Sequence, residues 1–198
     1  VEDLPLLQFP QAVIDREPNF KYKPHYNLSG NGFDVQFGPD VLTVSPEMPY
    51  PGWRRFYPEI EEIFNLLFTT GIIDTVLRLG IRYTNFFHQT DIFRNLNLKI
   101  QYNNASIPYR KTILRTELPS GSFNNTLQVS NNASRENPPG GKKDIGSLID
   151  IDTYKEYAAP GAKLSEVLHD VGNGHQVEKK IFWDLLDDAL KKELKPTY

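Results

Sequence analysis

The sequence predicts an α+β fold, with a mainly antiparallel sheet and helices packed on one side of it. Three stretches of the 198-residue chain support this prediction. Apolar and polar residues alternate over residues 33–38 and again over residues 75–87, which is the two-residue period of a half-buried strand. Over residues 58–70 the apolar residues instead recur with the period of a helix. Strands and helices segregated in this way are typical of the α+β class.

The N-terminal part begins without a clear period. Residues 1–32 are rich in proline, glycine and polar side chains, and we predict an extended segment with one edge strand around residues 21–28. A β-hairpin comes next, because the turn at residues 38–40 separates residues 33–38 from a second apolar stretch at residues 41–45.

The helix predicted over residues 58–70 begins at Pro58, because the missing N–H of a proline would be unpaired in the first turn in any case. Gly71 is predicted to end this helix. The strand over residues 75–87 comes next, and its two different faces suit an antiparallel sheet with one face on helices and one face in water.

The second half of the chain predicts three more strands and two helices. The strands cover residues 111–118, 126–130 and 146–154. A proline- and glycine-rich loop, residues 131–143, is the segment we predict to be disordered. The helices cover residues 163–171 and 175–194, with a break at residues 172–174, and His175 is expected to cap the start of the second one.

The same order predicts the domain organisation. We expect residues 1–32 to form an extended N-terminal segment and residues 33–198 to form a single α+β domain. Within that domain the order of strands and helices suggests two related halves, residues 33–100 and 101–198, that pack intimately. The chain begins at Val1 rather than Met, so we expect that part of the natural protein precedes it.

Composition limits the functional classes. The formal charge is −3 and the pI about 5.8, which disfavours a dedicated nucleic-acid binder but is compatible with a local basic patch. The chain has no cysteine, so disulfides and thiolate metal sites are excluded and a reducing compartment fits. No apolar run approaches the length of a membrane span, and no leader resembles a signal peptide. We therefore predict a cytoplasmic protein with no membrane association.

Two arginines are the first candidate binding residues. Arg78 and Arg82 lie on one face of the strand predicted over residues 75–87, and Asn85 comes after them. Guanidinium groups suit phosphate and carboxylate ligands, so this face is a candidate anion-binding surface. The alternative is that each arginine pairs with a carboxylate of a neighbouring strand, which is the ordinary chemistry of a sheet and the interpretation we favour.

The second pair of candidates is Asp150 and Asp152, two carboxylates on one face of a predicted strand. They could bind a divalent cation or act as an acid–base pair. No histidine or carboxylate cluster flanks them, so we predict no metal site and regard both as possible partners of the two arginines. Arg54 and Arg55, beside several aromatic residues, are further binding candidates on a recognition surface.

The motifs of catalysis and cofactor binding are missing from the sequence. It has no nucleophile elbow, no HExxH spacing and no phosphate-binding loop. We therefore name no catalytic residue and no cofactor. A protein partner or a second copy of the chain is a plausible partner, because an incomplete sheet edge invites strand pairing.

Several blocks resemble a sporadically distributed prokaryotic family that has no assigned function. They are PYPGW at residues 49–53, RLGIRYTN at residues 78–85, DID at residues 150–152 and FWDLL at residues 182–186. The resemblance covers roughly residues 33–194, and members of that family carry an additional N-terminal segment. It implies a prokaryotic origin and provides no catalytic residues to transfer.

Three functions are then open. The preferred one is a non-catalytic binding or regulatory module. The first alternative is an enzyme that acts on an anionic small molecule through the arginines and aspartates of one sheet face. The second is a nucleic-acid-associated factor, which predicts a basic surface that combines Arg54 and Arg55 with a group of other cations, namely Arg110, Lys111, Lys142 and Lys143.

Overall fold

A computed structural model describes residues 1–88, 91–108, 110–136, 141 and 143–194. The chain forms two compact units, Val1–Thr70 and Gly71–Tyr198. The boundary differs from the one predicted between residues 100 and 101. The physical reason is strand pairing: the strand predicted over residues 75–87 pairs with a strand of the C-terminal sheet, so it belongs to the C-terminal unit.

The N-terminal unit contains a four-stranded antiparallel sheet with the order β1-β2-β3-β4. Its strands are β1 (Glu2–Asp3), β2 (Tyr26–Gly30), β3 (Phe33–Gly38) and β4 (Val41–Pro46). Its helices are α1 (Gln11–Ile14) and α2 (Trp53–Thr69). The predicted hairpin is confirmed as β3–β4. Residues 1–32 are not simply extended with one edge strand, because they form two strands, the short helix α1 and two 3-10 helices, Pro5–Gln8 and Pro18–Phe20.

Helix α2 begins five residues before the predicted start. Pro58 lies inside the helix rather than in its first position. Its ring removes one backbone hydrogen bond but is tolerated close to the N-terminus, where few such bonds exist. Phe56 of α2 stacks on Phe33 of β3, with ring centroids 5.8 Å apart, and this contact holds the helix start against the sheet of the same unit.

The C-terminal unit is built on a second antiparallel sheet with the order β5-β10-β9-β8. The strands are β5 (Arg78–Phe87), β8 (Ile113–Ser120), β9 (Phe123–Glu136) and β10 (Lys143–Glu156). Between β5 and β8 the chain forms a small hairpin of β6 (Gln101–Tyr102) and β7 (Ala105–Ser106). The helices are α3 (Leu164–Leu185) and α4 (Asp188–Leu194). The predicted antiparallel α+β class is confirmed.

Strands β9 and β10 are longer than predicted. Residues 131–136 and 143–145 are strand, although we expected a loop over residues 131–143. Asn131, at the start of the extension, is buried, and its side chain accepts hydrogen bonds from the Ile92 amide and the Ser147 hydroxyl, both at 3.1 Å. Disorder was predicted for the whole of residues 131–143, but residues 131–136 and 143 are strand; residues 137–140 and 142 lie outside the described residues.

One face of this sheet packs on α3 and carries the core. The core contains buried side chains from β9, β10 and α3, together with residues of the turn before β6. Ile149 and Ile151 of β10 and Val129 of β9 are fully buried in it. The alternate residues of each strand point to the other face of the sheet, which we call the open face. Among the described residues, no helix is long and apolar enough to cross a membrane.

Helix α3 is continuous through Gly172 and Gly174, so the predicted break at residues 172–174 is wrong. The second glycine is needed for packing and not for a turn. A Cβ atom at Gly174 would lie 2.6 Å from Cδ1 of Ile81 and 3.2 Å from Cε1 of Phe123, so these side chains would have to shift to admit it, and glycine lets the helix pack closely on the sheet without that shift. His175 is consequently a buried residue inside the helix and not a cap.

Helix α3 ends at Leu185, whereas the predicted helix continued to residue 194. Leu186 has an extended backbone and forms an isolated bridge with Leu96. Asp187 then caps the start of α4, because its carboxylate accepts a hydrogen bond from the Leu190 amide at 2.8 Å.

Candidate functional site

The open face of the C-terminal sheet brings four of the seven predicted site residues together. In the register of the sheet, Arg82 lies beside Asp152, and Thr84 lies beside Asp150. Across β10, Asp150 lies beside Gln128 and Asp152 beside Thr126. Across β9, the rows continue to the two charged residues of β8, Arg115 and Glu117. Two rows of polar side chains therefore cross the whole sheet.

Arg82 and Asp150 form the strongest ion pair of this face. Nε of Arg82 donates to Oδ1 of Asp150 at 2.9 Å, and Nη2 donates to Oδ2 at 2.5 Å. These hydrogen bonds raise the pKa of Arg82 above its usual value. The Asp150 side chain is 10% exposed, whereas the Arg82 side chain is 65% exposed. The carboxylate therefore fixes a guanidinium that still faces the solvent.

Arg78 and Asp152 make a second and weaker pair. Nη2 of Arg78 lies 3.3 Å from Oδ2 of Asp152, and both side chains are substantially exposed. The guanidinium of Arg78 also lies over the ring of Tyr154, 4.5 Å from its centroid. Both arginines thus pair with the aspartates diagonally across β5 and β10, which is the interpretation favoured from the sequence.

A shallow depression of about 210 Å³ lies on the open face, across β8, β9 and β10 and the Arg82 side chain of β5. The residues that line it are all polar or charged, namely Arg82, Arg115, Thr126, Gln128, Asp150 and Asp152. Arg115, Thr126 and Gln128 were not predicted as site residues. The strands β8 and β9 were predicted only in outline, and the row that aligns Arg115 with Asp150 depends on a register that the sequence does not show.

The other three predicted residues lie elsewhere. Asn85 is on the helix side of β5, because it is three residues from Arg82 and side chains alternate along a strand. It lies beside the fully buried Ile149 of β10. Arg54 and Arg55 are exposed in the first turn of α2, in the N-terminal unit. Of the cations in the predicted basic surface, Lys143 pairs with Glu136 at 3.3 Å, and Lys142 lies outside the described residues.

Beneath α3, the structure places polar groups that the sequence analysis missed. Glu178 is 4% exposed, and this burial raises its pKa to about 7. His175 lies one turn earlier on the same stripe, and burial lowers its pKa to about 4. The His175 ring lies 5.7 Å from the Tyr83 ring of β5. Val171, His175 and Glu178 follow one another at intervals of four and three residues, so they lie on one face of a continuous helix. A prediction of a continuous helix would have shown this buried face.

A further polar network joins the start of α3 to the end of β10. Lys155 donates to the buried Asp170 at 2.7 Å, and the Tyr157 hydroxyl donates to the same carboxylate oxygen at 2.9 Å. The hydrogen bond to Asp170 raises the pKa of Lys155. Each member of this network is occupied within the protein, so the network holds the helix to the sheet.

In the described part of the chain, no three histidine, aspartate or glutamate side chains are grouped as metal ligands. Comparison with known protein families, with characterised proteins and with solved structures finds no match. The resemblance based on residues 49–53 and 78–85 therefore stays a prediction.

Proposed function

We propose that this chain is a non-catalytic binding module, and that the open face of the C-terminal sheet binds a partner that presents carboxylate or carbonyl oxygens. The observation that carries this proposal is the Arg82–Asp150 pair. Its guanidinium is oriented by a nearly buried carboxylate and yet is largely exposed to solvent. A side chain that is already ordered loses less conformational entropy when a ligand binds.

The hydrogen-bonding capacity of Arg82 supports binding. A guanidinium has five N–H donors in a fixed plane, and Asp150 accepts from only part of them. Arg82 lines the depression together with Thr126 and Gln128. This arrangement offers hydrogen-bond donors at defined positions to an oxygen-bearing group.

The aspartates support a non-catalytic role over the enzymatic alternative. Asp150 accepts two hydrogen bonds from Arg82, and Asp152 accepts one from Arg78. A general base at this position would first have to break its arginine pair.

The charge of the face favours a protein surface over a nucleic acid. Three arginines, Arg78, Arg82 and Arg115, share this face with four carboxylates, Asp150, Asp152, Glu156 and Glu117, so the face has no net positive charge. A polyanion gains affinity mainly from excess cations and counterion release. A single carboxylate or a peptide carbonyl needs only the local donors. We further propose that the module is cytoplasmic and belongs to the prokaryotic family that it resembles.

The test is an NMR titration of the ¹⁵N-labelled chain with N-acetylglutamate as the carboxylate probe. We expect the amide signals of residues 126–128 and 150–152 to shift and saturate. Arg82→Gln should weaken binding about tenfold or more, since a hydrogen bond to a charged group is worth about 1.5–3 kcal/mol. Arg54→Gln, an exposed arginine of the other unit, is the matched control and should bind like the parent chain.

Two outcomes would contradict the proposal. One is a titration in which these amides do not move, and the other is binding that Arg82→Gln leaves unchanged. A single-stranded oligonucleotide serves as a comparison probe in the same spectra. Shifts caused by the oligonucleotide but not by N-acetylglutamate would favour the nucleic-acid alternative instead.

A further inference from the structure

Strand β8 is the last strand of the C-terminal sheet, and among the described residues it pairs only with β9. The orientation of its backbone can be read from one hydrogen bond. The Asn131 amide donates to the Thr112 carbonyl at 3.0 Å, in continuity with the register of β8 and β9. In an antiparallel pair, alternate residues direct both backbone groups to the same neighbour. The even-numbered residues of β8 therefore bond to β9.

The odd-numbered residues direct their backbone groups outward. Within the described part of the chain, the N–H and carbonyl groups of Ile113, Arg115 and Glu117 have no backbone partner along this edge, and Pro119 offers only its carbonyl. The proline fits this interpretation, because an edge strand accepts proline where its N–H would face solvent. Ile113 is 70% exposed and Leu118 is 36% exposed. The strand thus presents an accessible edge with apolar side chains beside it.

We propose that two copies of this chain associate through β8, antiparallel and about a two-fold axis that passes through Thr116. In this register Arg115 lies directly opposite Glu117 of the second copy, and Glu117 lies opposite Arg115 of the second copy. Each of these pairs exchanges both of its backbone hydrogen bonds across the edge. The two four-stranded sheets join into one continuous sheet.

Charge complementarity selects this register. An axis one residue earlier would place Arg115 opposite Arg115 of the second copy, and an axis one residue later would place Glu117 opposite its equivalent. Like charges directly opposite on neighbouring strands are destabilising, and opposite charges are stabilising. Arg115 and Glu117 make no ion pair within the described part of the chain, so both are available for the second copy.

The apolar residues are complementary in the same register. On the helix side of the sheet, Leu114 lies opposite Leu118 of the second copy, on both sides of the axis. On the open face, Ile113 lies opposite Pro119 of the second copy. These contacts would cover apolar surface that is exposed in the single chain. The interface is isologous, as a two-fold dimer requires.

Dimerisation would also complete the open face. Arg115 lines the depression, and Glu117 of the second copy would hold its guanidinium as Asp150 holds that of Arg82. All three arginines of the face would then pair with a carboxylate. The association itself is argued from β8 alone and does not depend on the proposed binding function.

Sedimentation equilibrium of the full chain, with two charge-reversal variants, tests the proposal. The parent chain should dimerise. Arg115→Glu places two glutamates opposite each other and Glu117→Arg places two arginines opposite each other, so each variant alone should dissociate with a Kd raised about tenfold or more. An equimolar mixture of the two variants should form a heterodimer, because every opposing pair is then again of opposite charge.

The recovery in the mixture separates the proposed register from a general loss of folding. Both residues are exposed, so each variant should also keep the circular dichroism spectrum of the parent chain. A parent chain that stays monomeric at millimolar concentration would overturn the proposal. Dimers that survive both single reversals, or variants that fail to associate when mixed, would overturn it too.

Discussion

Arg82 donates two hydrogen bonds to Asp150, at 2.9 and 2.5 Å, and so joins β5 to β10 through a bidentate pair. Arg78 makes only one contact with Asp152, at 3.3 Å. The two pairs have the same residue types on the same two strands, but they differ in geometry and burial. The Arg78–Asp152 pair therefore serves as a reference against which the stability that the fixed Arg82 guanidinium contributes can be measured.

Asp150→Asn should lower the free energy of unfolding by roughly 1–3 kcal/mol, because it puts an NH2 donor in place of one of the two oxygens that accept from Arg82 at a nearly buried position. Asp152→Asn should cost less than about 1 kcal/mol, since its pair is exposed. Urea denaturation of the two variants beside the parent chain measures both values. Equal losses in the two variants would show that the bidentate pair has no special stability.

The two glycines of α3 give a matched pair of substitutions. Gly174→Ala introduces a Cβ within 2.6 Å of Ile81, so we expect a loss of roughly 1–3 kcal/mol from overpacking. At Gly172 a Cβ would meet no atom within 4 Å. Gly172→Ala should therefore raise stability, by up to about 1 kcal/mol, through helix propensity alone. Thermal unfolding should shift in opposite directions for the two variants, and the same direction in both would contradict the close packing at Gly174.

Because Glu178 is buried, we expect the stability of the folded chain to fall as the pH rises. Its pKa in the folded chain is raised to about 7 from 4.5, so folding favours the protonated form. The stability associated with this group is complete below pH 4.5 and decreases as the pH rises through about 7. Above the higher of these two pKa values the loss is complete. The difference between the two pKa values then corresponds to about 3 kcal/mol in the free energy of unfolding.

Glu178→Gln removes this titration. The variant should match the parent chain at about pH 4 and be more stable than the parent by up to about 3 kcal/mol at about pH 8.5. Urea denaturation at a series of pH values measures the gap. A gap that is constant with pH would mean that Glu178 does not titrate with a raised pKa.

A substitution at Asn125 tests how much the buried polar contacts on the helix side of the sheet contribute to stability. It is fully buried, accepts a hydrogen bond from the Thr153 hydroxyl at 2.7 Å and donates to the Leu118 carbonyl at 2.6 Å. Asn125→Asp replaces this donor by an acceptor and buries a charge, which should cost about 3 kcal/mol or more. Asn124→Asp, at the exposed neighbouring position, should change stability by less than about 0.5 kcal/mol. Comparable effects at both positions would contradict this role of Asn125.

The residue patterns predicted the class of the fold and part of the site. Alternation over residues 75–87 correctly placed Arg78 and Arg82 on one face, because side-chain direction in a strand depends only on the two-residue period. The partnership of these arginines with Asp150 and Asp152 was among the predicted alternatives. Pairing depends on which strands are neighbours, and unlike charges on two predicted strands were enough to suggest it.

Other features depend on contacts between distant parts of the chain. The break predicted at Gly172 and Gly174 was wrong, because local propensity disfavours glycine in a helix and does not reveal that Ile81 and Phe123 require one. The contribution of Arg115 to the site could not be predicted for a related reason. Its position beside Gln128 and Asp150 is set by the register of three strands, and a shift of one residue would reverse the face.

The central claim is that Arg82 is held by Asp150 and still available to a ligand. The ¹⁵N–¹H spectrum of the arginine side chains tests it most directly, with the Arg82 signal assigned by its loss in Arg82→Lys. We predict a slowly exchanging Nε–H signal of Arg82 in the free chain, and a change in its chemical shift when N-acetylglutamate is added to saturation. A signal that is lost to rapid exchange in the free chain, or that stays unmoved by the probe, would contradict the account.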